Sequence, residues 1–280
     1  MIKTSRQLKA LVRNLTKGDS IQAQIIMRNY VMERFLERIS LSKYRNNFIL
    51  KGGMLVSAMV GLDTRSTMDI DTTIKNLPLS IENAREMIEE IIEIPIDDGM
   101  TFSIKSVSEI MDEAEYSGVR VNLEATLETM RTPLKVDIST GDIITPKEVS
   151  YTFKLMFEER TISILAYNLE TVLAEKMETV IARGIVNTRL RDYYDLYILQ
   201  NEYTHSINME QLKEAFLATS KKRNSVQLIA DGNRILKEIE NSEVMQRLWK
   251  SYQKKFSYAE DISWKMVMDS IEKLFPQISE

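Results

Sequence analysis

Two aspartates separated by one apolar residue, Asp69-Ile70-Asp71, are the chemically most suggestive feature of this chain. On an extended strand alternate side chains share a side, so both carboxylates aim at one spot while Ile70 anchors the strand from behind. Like charges that close repel unless a positive group joins them. A hard divalent cation with oxygen ligands, Mg²⁺ or Mn²⁺, suits such a pair. The glycine pair Gly52-Gly53 stands shortly before it, in the stretch LKGGMLVSAMVGLDTRSTMDIDTTIK. Glycines let backbone N–H groups approach a phosphate closely, and a helix starting there offers its positive end. Ser66 and Thr67 are candidate hydrogen-bond donors to phosphate, and Arg65 a candidate charged contact.

A third carboxylate lies in LKVDIS, residues 134 to 139, where Leu134, Val136 and Ile138 alternate with Lys135, Asp137 and Ser139. Were this strand beside the first, Asp137 would join Asp69 and Asp71. Two acids then clamp metal, and the third orients or deprotonates an attacking hydroxyl, an arrangement suited to in-line displacement at phosphorus. Further on, Lys176 sits at the edge of a helical apolar stripe formed by Leu169, Val172, Leu173, Met177 and Val180. Such a lysine either snorkels or faces a cleft to hold triphosphate charge. The following TRLRDYYDLYIL places Asp192 and Asp195 on one helix face, with tyrosines 193, 194 and 197 that either pack or stack on a base. Lys221, Lys222 and Arg223 read as a solvated basic turn.

The elements that must position these groups follow from periodicity and breakers. Helices are expected over 5–15 and from Ser20 to about Ile39, separated by Lys17-Gly18-Asp19, the second with an apolar face of Ile21, Ile25, Val31, Phe35 and Ile39. Strands are expected at 48–50, 67–74, 102–107, 119–125 and 134–139, with a turn at Ser117-Gly118. Gly61 ends a short helix over 54–60, and Ser80 caps another that stops before Pro95. After a β-like run at 161–167 the chain turns helical: 169–183, 188–201, 208–218, 231–238, 242–255 and a last helix after Trp264. The fold class is α+β, a mixed sheet with packed helices followed by a mainly helical region. A soft boundary between 142 and 168 divides residues 1–155 from 156–280.

Composition narrows the chemistry. With 280 residues and a net charge of −4, the chain can bury one large core or two modest ones and is not a bulk nucleic-acid wrapper. It has no cysteine and one histidine, His205, which excludes disulfides, thiolate zinc and histidine-rich metal sites. The sixteen methionines read as core filler. No leader and no membrane-spanning run is expected, which points to a cytoplasmic protein.

KGGMLVSAMVGLDTRSTMDID resembles the opening motif of the AbiEii/AbiGii-type nucleotidyltransferase toxins, within the polymerase-β-like superfamily. The long spacing from Gly53 to Asp69 resembles this toxin branch more than other transferases. LAEKMETVIARGIVNTRLRDYYDLYIL resembles the second signature, a lysine on one helix followed by RDxxDL on the next. The resemblance implies phosphate binding at Gly52 and Gly53 and metal binding by Asp69 and Asp71, with Asp137 as the later strand acid. It carries roles onto Lys176 and Asp192, with Arg191 and Asp195 as neighbours. It implies a nucleotidyltransferase using Mg²⁺ and an NTP, acting as a toxin in a toxin–antitoxin or phage-defence system, with a cognate antitoxin and an RNA acceptor, tRNA foremost. Nucleotide transfer to a protein hydroxyl is an alternative, as is a non-catalytic binding protein that retains the fold.

Overall fold

The structure, a computed structural model, describes residues 1–110 and 118–279. It contains two compact units, residues 1–142 with 149–166 and residues 143–148 with 167–280.

The first unit is built on a seven-stranded mixed sheet. Its helices are α1 (Ser5–Thr16), α2 (Ser20–Leu41), α3 (Gly52–Val60) and α4 (Ile81–Ile92). Its strands are β1 (Phe48–Lys51), β2 (Ile70–Ile74), β3 (Met100–Ile110), β4 (Gly118–Leu127), β5 (Met130–Thr140), β6 (Val149–Lys154) and β7 (Thr161–Ala166). The order across the sheet is β3-β4-β5-β2-β1-β7-β6. The β2–β5 and β1–β7 pairs are parallel, and the remaining pairs are antiparallel. Alternation makes one face the core. Val119, Val121, Leu123, Ala125 and Leu127 of β4 are buried, as are Leu134, Val136 and Ile138 of β5, while the residues between them stay partly exposed. Helices α2 and α4 pack on this sheet. The helix starts follow side-chain chemistry: Thr4, Asp19 and Ser80 each accept a backbone N–H from the first turn of the helix they cap.

Three features depart from the sequence reading. Strand β2 starts at Ile70 rather than Thr67. The carbonyl of Thr67 accepts from Asn29 Nδ2 at 3.1 Å, so a helix side chain takes the place of a ladder partner there. Helix α3 begins at Gly52, so the glycine pair is its first turn instead of a preceding loop. Strand β6, absent from the sequence reading, pairs antiparallel with β7. The turn expected at Ser117-Gly118 falls on residues outside those described, up to Gly118, where β4 starts.

Helix α2 is unusual for the charge it buries. Ile21 at its start is 71 % exposed, whereas Glu33, Arg34, Glu37 and Arg38 are all buried. Arg38 makes a bidentate pair with Asp98 and donates to the Met100 carbonyl. Arg34 meets Glu37 at 3.0 Å and Glu158 at 3.2 Å, and Arg160 bonds Glu37 and Glu158 from outside. Such pairs offset the buried charges without adding much net stability, and Arg34 Nε and Nη2, Arg38 Nε and Glu37 Oε2 still have no hydrogen-bond partner.

The second unit is helical: α5 (Leu169–Arg183), α6 (Leu190–Tyr203), α7 (Met209–Lys222), α8 (Gly232–Asn241), α9 (Glu243–Lys255) and α10 (Trp264–Ser279). Asn168 caps α5 and donates to the carbonyls of Thr145 and Lys147, which ties the 143–148 segment to this unit. Tyr193 and Tyr194 are fully buried and pack in an aromatic cluster with Trp264, Tyr252 and Tyr258. They are core residues, not surfaces for stacking a base. Arg223 is likewise not a solvated turn residue, since it pairs with Glu175 and Glu178. Among the described residues no helix is long and apolar enough to cross a membrane.

Burial raises the Glu33 carboxyl from its ordinary 4.5 to about 8, a shift that the Met156 N–H and Arg34 oppose and Glu158 and Glu37 reinforce. A raised carboxyl favours the folded state while protonated, so this contribution is whole below pH 4.5 and is lost as pH climbs to 8. The loss is on the order of 5 kcal/mol at most. Urea titrations of the wild type should therefore show falling stability between pH 5 and 8.5, and Glu33→Gln should flatten most of that slope. A flat wild-type profile would contradict the assignment.

Candidate active site

The site in the first unit is a row of charges laid across four strands. Asp71 on β2 is the register partner of Lys51 on β1 and of Asp137 on β5, and Asp137 is the partner of Arg120 on β4. Directly opposed residues point to one face, so the row reads Lys51, Asp71, Asp137, Arg120. The other face of the same strands carries Ile70, Val136, Ile138 and Val121, all fully buried. Arg120 holds both oxygens of Asp137, with Nε and Nη2 each at 2.8 Å. Lys135, two residues before Asp137, sits 2.7 Å from Asp69 Oδ2 and 3.8 Å from Asp137 Oδ2. Lys51 pairs with Asp142, which also accepts from Ser139 Oγ at 2.9 Å.

Asp69 stands in the bend before β2, one residue short of the strand. The two aspartates are thus brought together by a bend and a strand start instead of one continuous strand. Burial first, then the charges of Asp69 and Asp137, push the Asp71 carboxyl up to about 6, against the pull of Lys51 and Lys135. Burial, reinforced by Asp69 and Asp137, thus disfavours the charged form of Asp71, and the oxygens gathered here are hard donors. By that chemistry the residues that would hold a divalent cation are Asp69, Asp71 and Asp137. Among the described residues no group of three or more acids or histidines is disposed to coordinate a metal directly. In this arrangement Lys135 bridges Asp69 and Asp137, and Arg120 occupies Asp137.

The glycine pair closes one side of the acids. Gly52 has φ +64°, and a Cβ there would lie 2.2 Å from Asp71 Oδ2. A Cβ on Gly53 would lie 2.8 Å from Thr67 Oγ1 and 3.2 Å from Arg65 Nη2. Both positions exclude a side chain, because the backbone at the start of α3 lies against Asp71, Thr67 and Arg65. No side chain caps this nine-residue helix, which leaves its first N–H groups for an anion. Arg65, Ser66 and Thr67 are all buried, so Arg65 is no surface charge; it donates to the Ser66 carbonyl. Thr67 Oγ1 lies 3.4 Å from both the carbonyl and Oδ1 of Asp69.

In the second unit Lys176 on α5 meets two carboxylates of α6, Asp192 at 2.9 Å and Asp195 at 2.7 Å. The lysine side chain is 11 % exposed and Asp195 is fully buried. Lys176 is thus held in place by ion pairs and does not snorkel. Arg191 lies over the ring of Phe256.

Residues 34–272 match the family described as "Nucleotidyl transferase AbiEii toxin, Type IV TA system". The chain belongs to this AbiEii family. The match spans both units and includes the acid row, the glycine pair and the Lys176 group. Membership makes the chain a toxin-type nucleotidyltransferase by family, a context that implies an NTP substrate and an antitoxin partner. Among solved structures, JHP933 from Helicobacter pylori is similar at 15 % identity and a TM-score of 0.50, over 91 % of this chain and 92 % of that one. An antigenic nucleotidyltransferase-like protein from Paracoccidioides brasiliensis is similar at 13 % identity and a TM-score of 0.39, over 82 % of this chain and 94 % of that one. No curated protein matches the sequence.

Sequence reasoning named the acids of this AbiEii protein but missed the cations that balance them. Lys135 carried a readable signal, since it alternates in phase with Asp137. Arg120 shows the same phase in VRVN, but only strand pairing reveals which acid it faces.

Two substitutions probe this geometry. Gly52→Ala combines left-handed strain with a clash on Asp71, so urea denaturation should show a loss of about 2–4 kcal/mol. Gly18→Ala, strained by φ +92° but in open space, should lose only about 1 kcal/mol. Lys176→Met should cost about 3 kcal/mol by leaving Asp195 buried and charged, and adding Asp195→Asn should recover part of that loss.

Proposed function

We propose that this protein transfers a nucleoside monophosphate from an NTP to an acceptor hydroxyl, with the 3′ end of tRNA as the acceptor. What supports the reading is the pairing of Asp71 with Asp137 across β2 and β5, with Lys135 reaching both Asp69 and Asp137, beside the start of α3. In the transfer, the acceptor oxygen bonds to the α-phosphorus, the bond from that phosphorus to the bridging oxygen breaks, and pyrophosphate leaves. Asp69 and Asp71 would hold Mg²⁺ or Mn²⁺, with Asp137 completing the set; the cation's contribution is to screen phosphate charge and lower the pKa of the hydroxyl. Asp137, positioned by Arg120, orients the attacking hydroxyl and receives its proton. The N–H groups of Gly52 and Gly53 receive phosphate oxygens, with Arg65, Ser66 and Thr67 shaping that wall.

Purified protein with Mg²⁺, labelled NTPs and total tRNA should yield extended RNA, and Asp69→Ala should abolish the transfer without unfolding the protein. Absence of label on any nucleic acid or protein with all four NTPs would refute the reading; label on protein alone would move the acceptor to a side-chain hydroxyl. Asp71→Asn supplies a readout besides activity. A carboxyl raised to about 6 weakens the fold as pH passes from 3.8 to 6, so the neutral variant should be about 2–3 kcal/mol more stable at pH 7.5 without divalent cations. Mg²⁺ should raise the Tm of the wild type but not of the variant. Equal responses of the two proteins would remove Asp71 from the cation site.

A further inference from the structure

A cavity of about 380 Å³ lies in the first unit between α2, α3 and the loop joining β6 to β7. None of Asp69, Asp71, Asp137, Gly52 or Gly53 lines it. Its wall is apolar where Met54, Ala58, Leu62 and Phe157 contribute, and polar where Asn29, Glu33 and Ser57 do. An apolar enclosure of this size with a few convergent polar groups is the usual form of a small-molecule site.

The polar groups are short of donors. Glu33 is buried, and its Oε2 accepts the Met156 N–H at 2.7 Å, while Oε1 accepts from no described residue. The adjacent cation serves it only weakly: Arg34 bonds Glu37 and Glu158 and stands 4.0 Å from Glu33 Oε2. The Asn29 amide nitrogen is committed to the carbonyls of Ile25 and Thr67, which leaves its oxygen as an acceptor. Ser57 is 97 % buried by its 3 % exposure, and its hydroxyl has no hydrogen-bond partner. Buried polar groups left in this state are costly until something satisfies them. The carboxylates of Glu158 and Glu159 also line the cavity, and its one lysine, Lys154, is exposed. The loop is held in a strained form as well. Phe157 adopts φ +61°, a conformation unusual for a bulky residue, with its ring 6.2 Å from Tyr30. Strain of this kind gathers at ligand clamps.

We propose that this cavity binds a small organic cation, a primary amine on an apolar or aromatic stem. An ammonium offers three donors and no acceptor, which complements the oxygens of Asn29, Ser57 and Glu33, the bound charge favouring the ionised form of Glu33. The stem meets Met54, Ala58, Leu62 and Phe157. The same chemistry is available from a free amine or from a lysine side chain of a partner protein. An occupant touches α3, whose first turn carries Gly52 and Gly53, and it touches Asn29, which holds the Thr67 carbonyl. It thereby bears on two elements that shape the acid site, although the binding itself does not depend on the acceptor assigned above.

Four probes titrated into the full chain test this, with amide chemical shifts and calorimetry as readouts. Phenethylamine should bind saturably and shift amides of α2, α3 and residues 153–159. The isosteric 2-phenylethanol should bind at least 10-fold more weakly, and 3-phenylpropionate should not bind. Nα-acetyl-lysine amide binding as well as phenethylamine would identify a protein side chain as the natural source; binding of phenethylamine alone would identify a free amine. Glu33→Gln should weaken the amine at least 10-fold, and Ala58→Phe, which fills the cavity, should abolish binding. Equal binding of amine, alcohol and acid would overturn the proposal, as would an unchanged amine affinity in a folded Glu33→Gln protein. Should that variant not fold, amine shifts that persist in Ala58→Phe would overturn it equally.

Discussion

Asp71 and Asp137 occupy the same level on neighbouring parallel strands, and two carboxylates in that position repel. The rest of the site is arranged around this conflict. Lys51 and Arg120 close the row at either end, and Lys135 reaches between Asp69 and Asp137. The register that forces the acids together is set on the opposite face. Ile70, Val136, Ile138 and Val121 are fully buried there, and a slip of one residue would turn that apolar layer outward. Hydrophobic burial thus holds an electrostatically unfavourable arrangement that a phosphate-transfer site can use.

Charge is treated differently elsewhere in the molecule. On α2 each buried arginine meets carboxylates directly: Arg38 has Asp98, and Arg34 has Glu37 and Glu158. In the second unit Lys176 is matched to Asp192 and Asp195. These groups are compensated within their own surroundings. For Asp71 and Glu33 burial is the largest influence, and each carboxyl is raised despite nearby cations.

Local sequence signals carried the element reading far. The cap at Ser80, the glycine stop at Gly61 and the helical reading of the last six segments translate directly into observed helices because each depends on residues within one or two turns. Readings failed where a distant group intervened. Thr67 has strand-like neighbours, yet Asn29, 38 positions away, takes its carbonyl. The burial of charge on α2 was not legible, because Asp98, Glu158 and Arg160, distant in sequence, arrive to pair with it. For Tyr193 and Tyr194, where packing and base stacking were both open, Trp264 and Tyr252 decide for packing.

The amino-acid order alone determined the identity of the acids, the glycine pair before them and the α+β-then-helical plan, since these rest on residue type, alternation and local capping. The tertiary structure alone decided that β2 lies between β1 and β5, so that Asp71 faces Lys51 and Asp137. It also decided that Arg120 grips Asp137, that Gly52 must lack a side chain to clear Asp71, and that Glu33 looks into a cavity. Those facts depend on strand order and on packing between distant segments, where free energy is set by neighbours that no local pattern specifies.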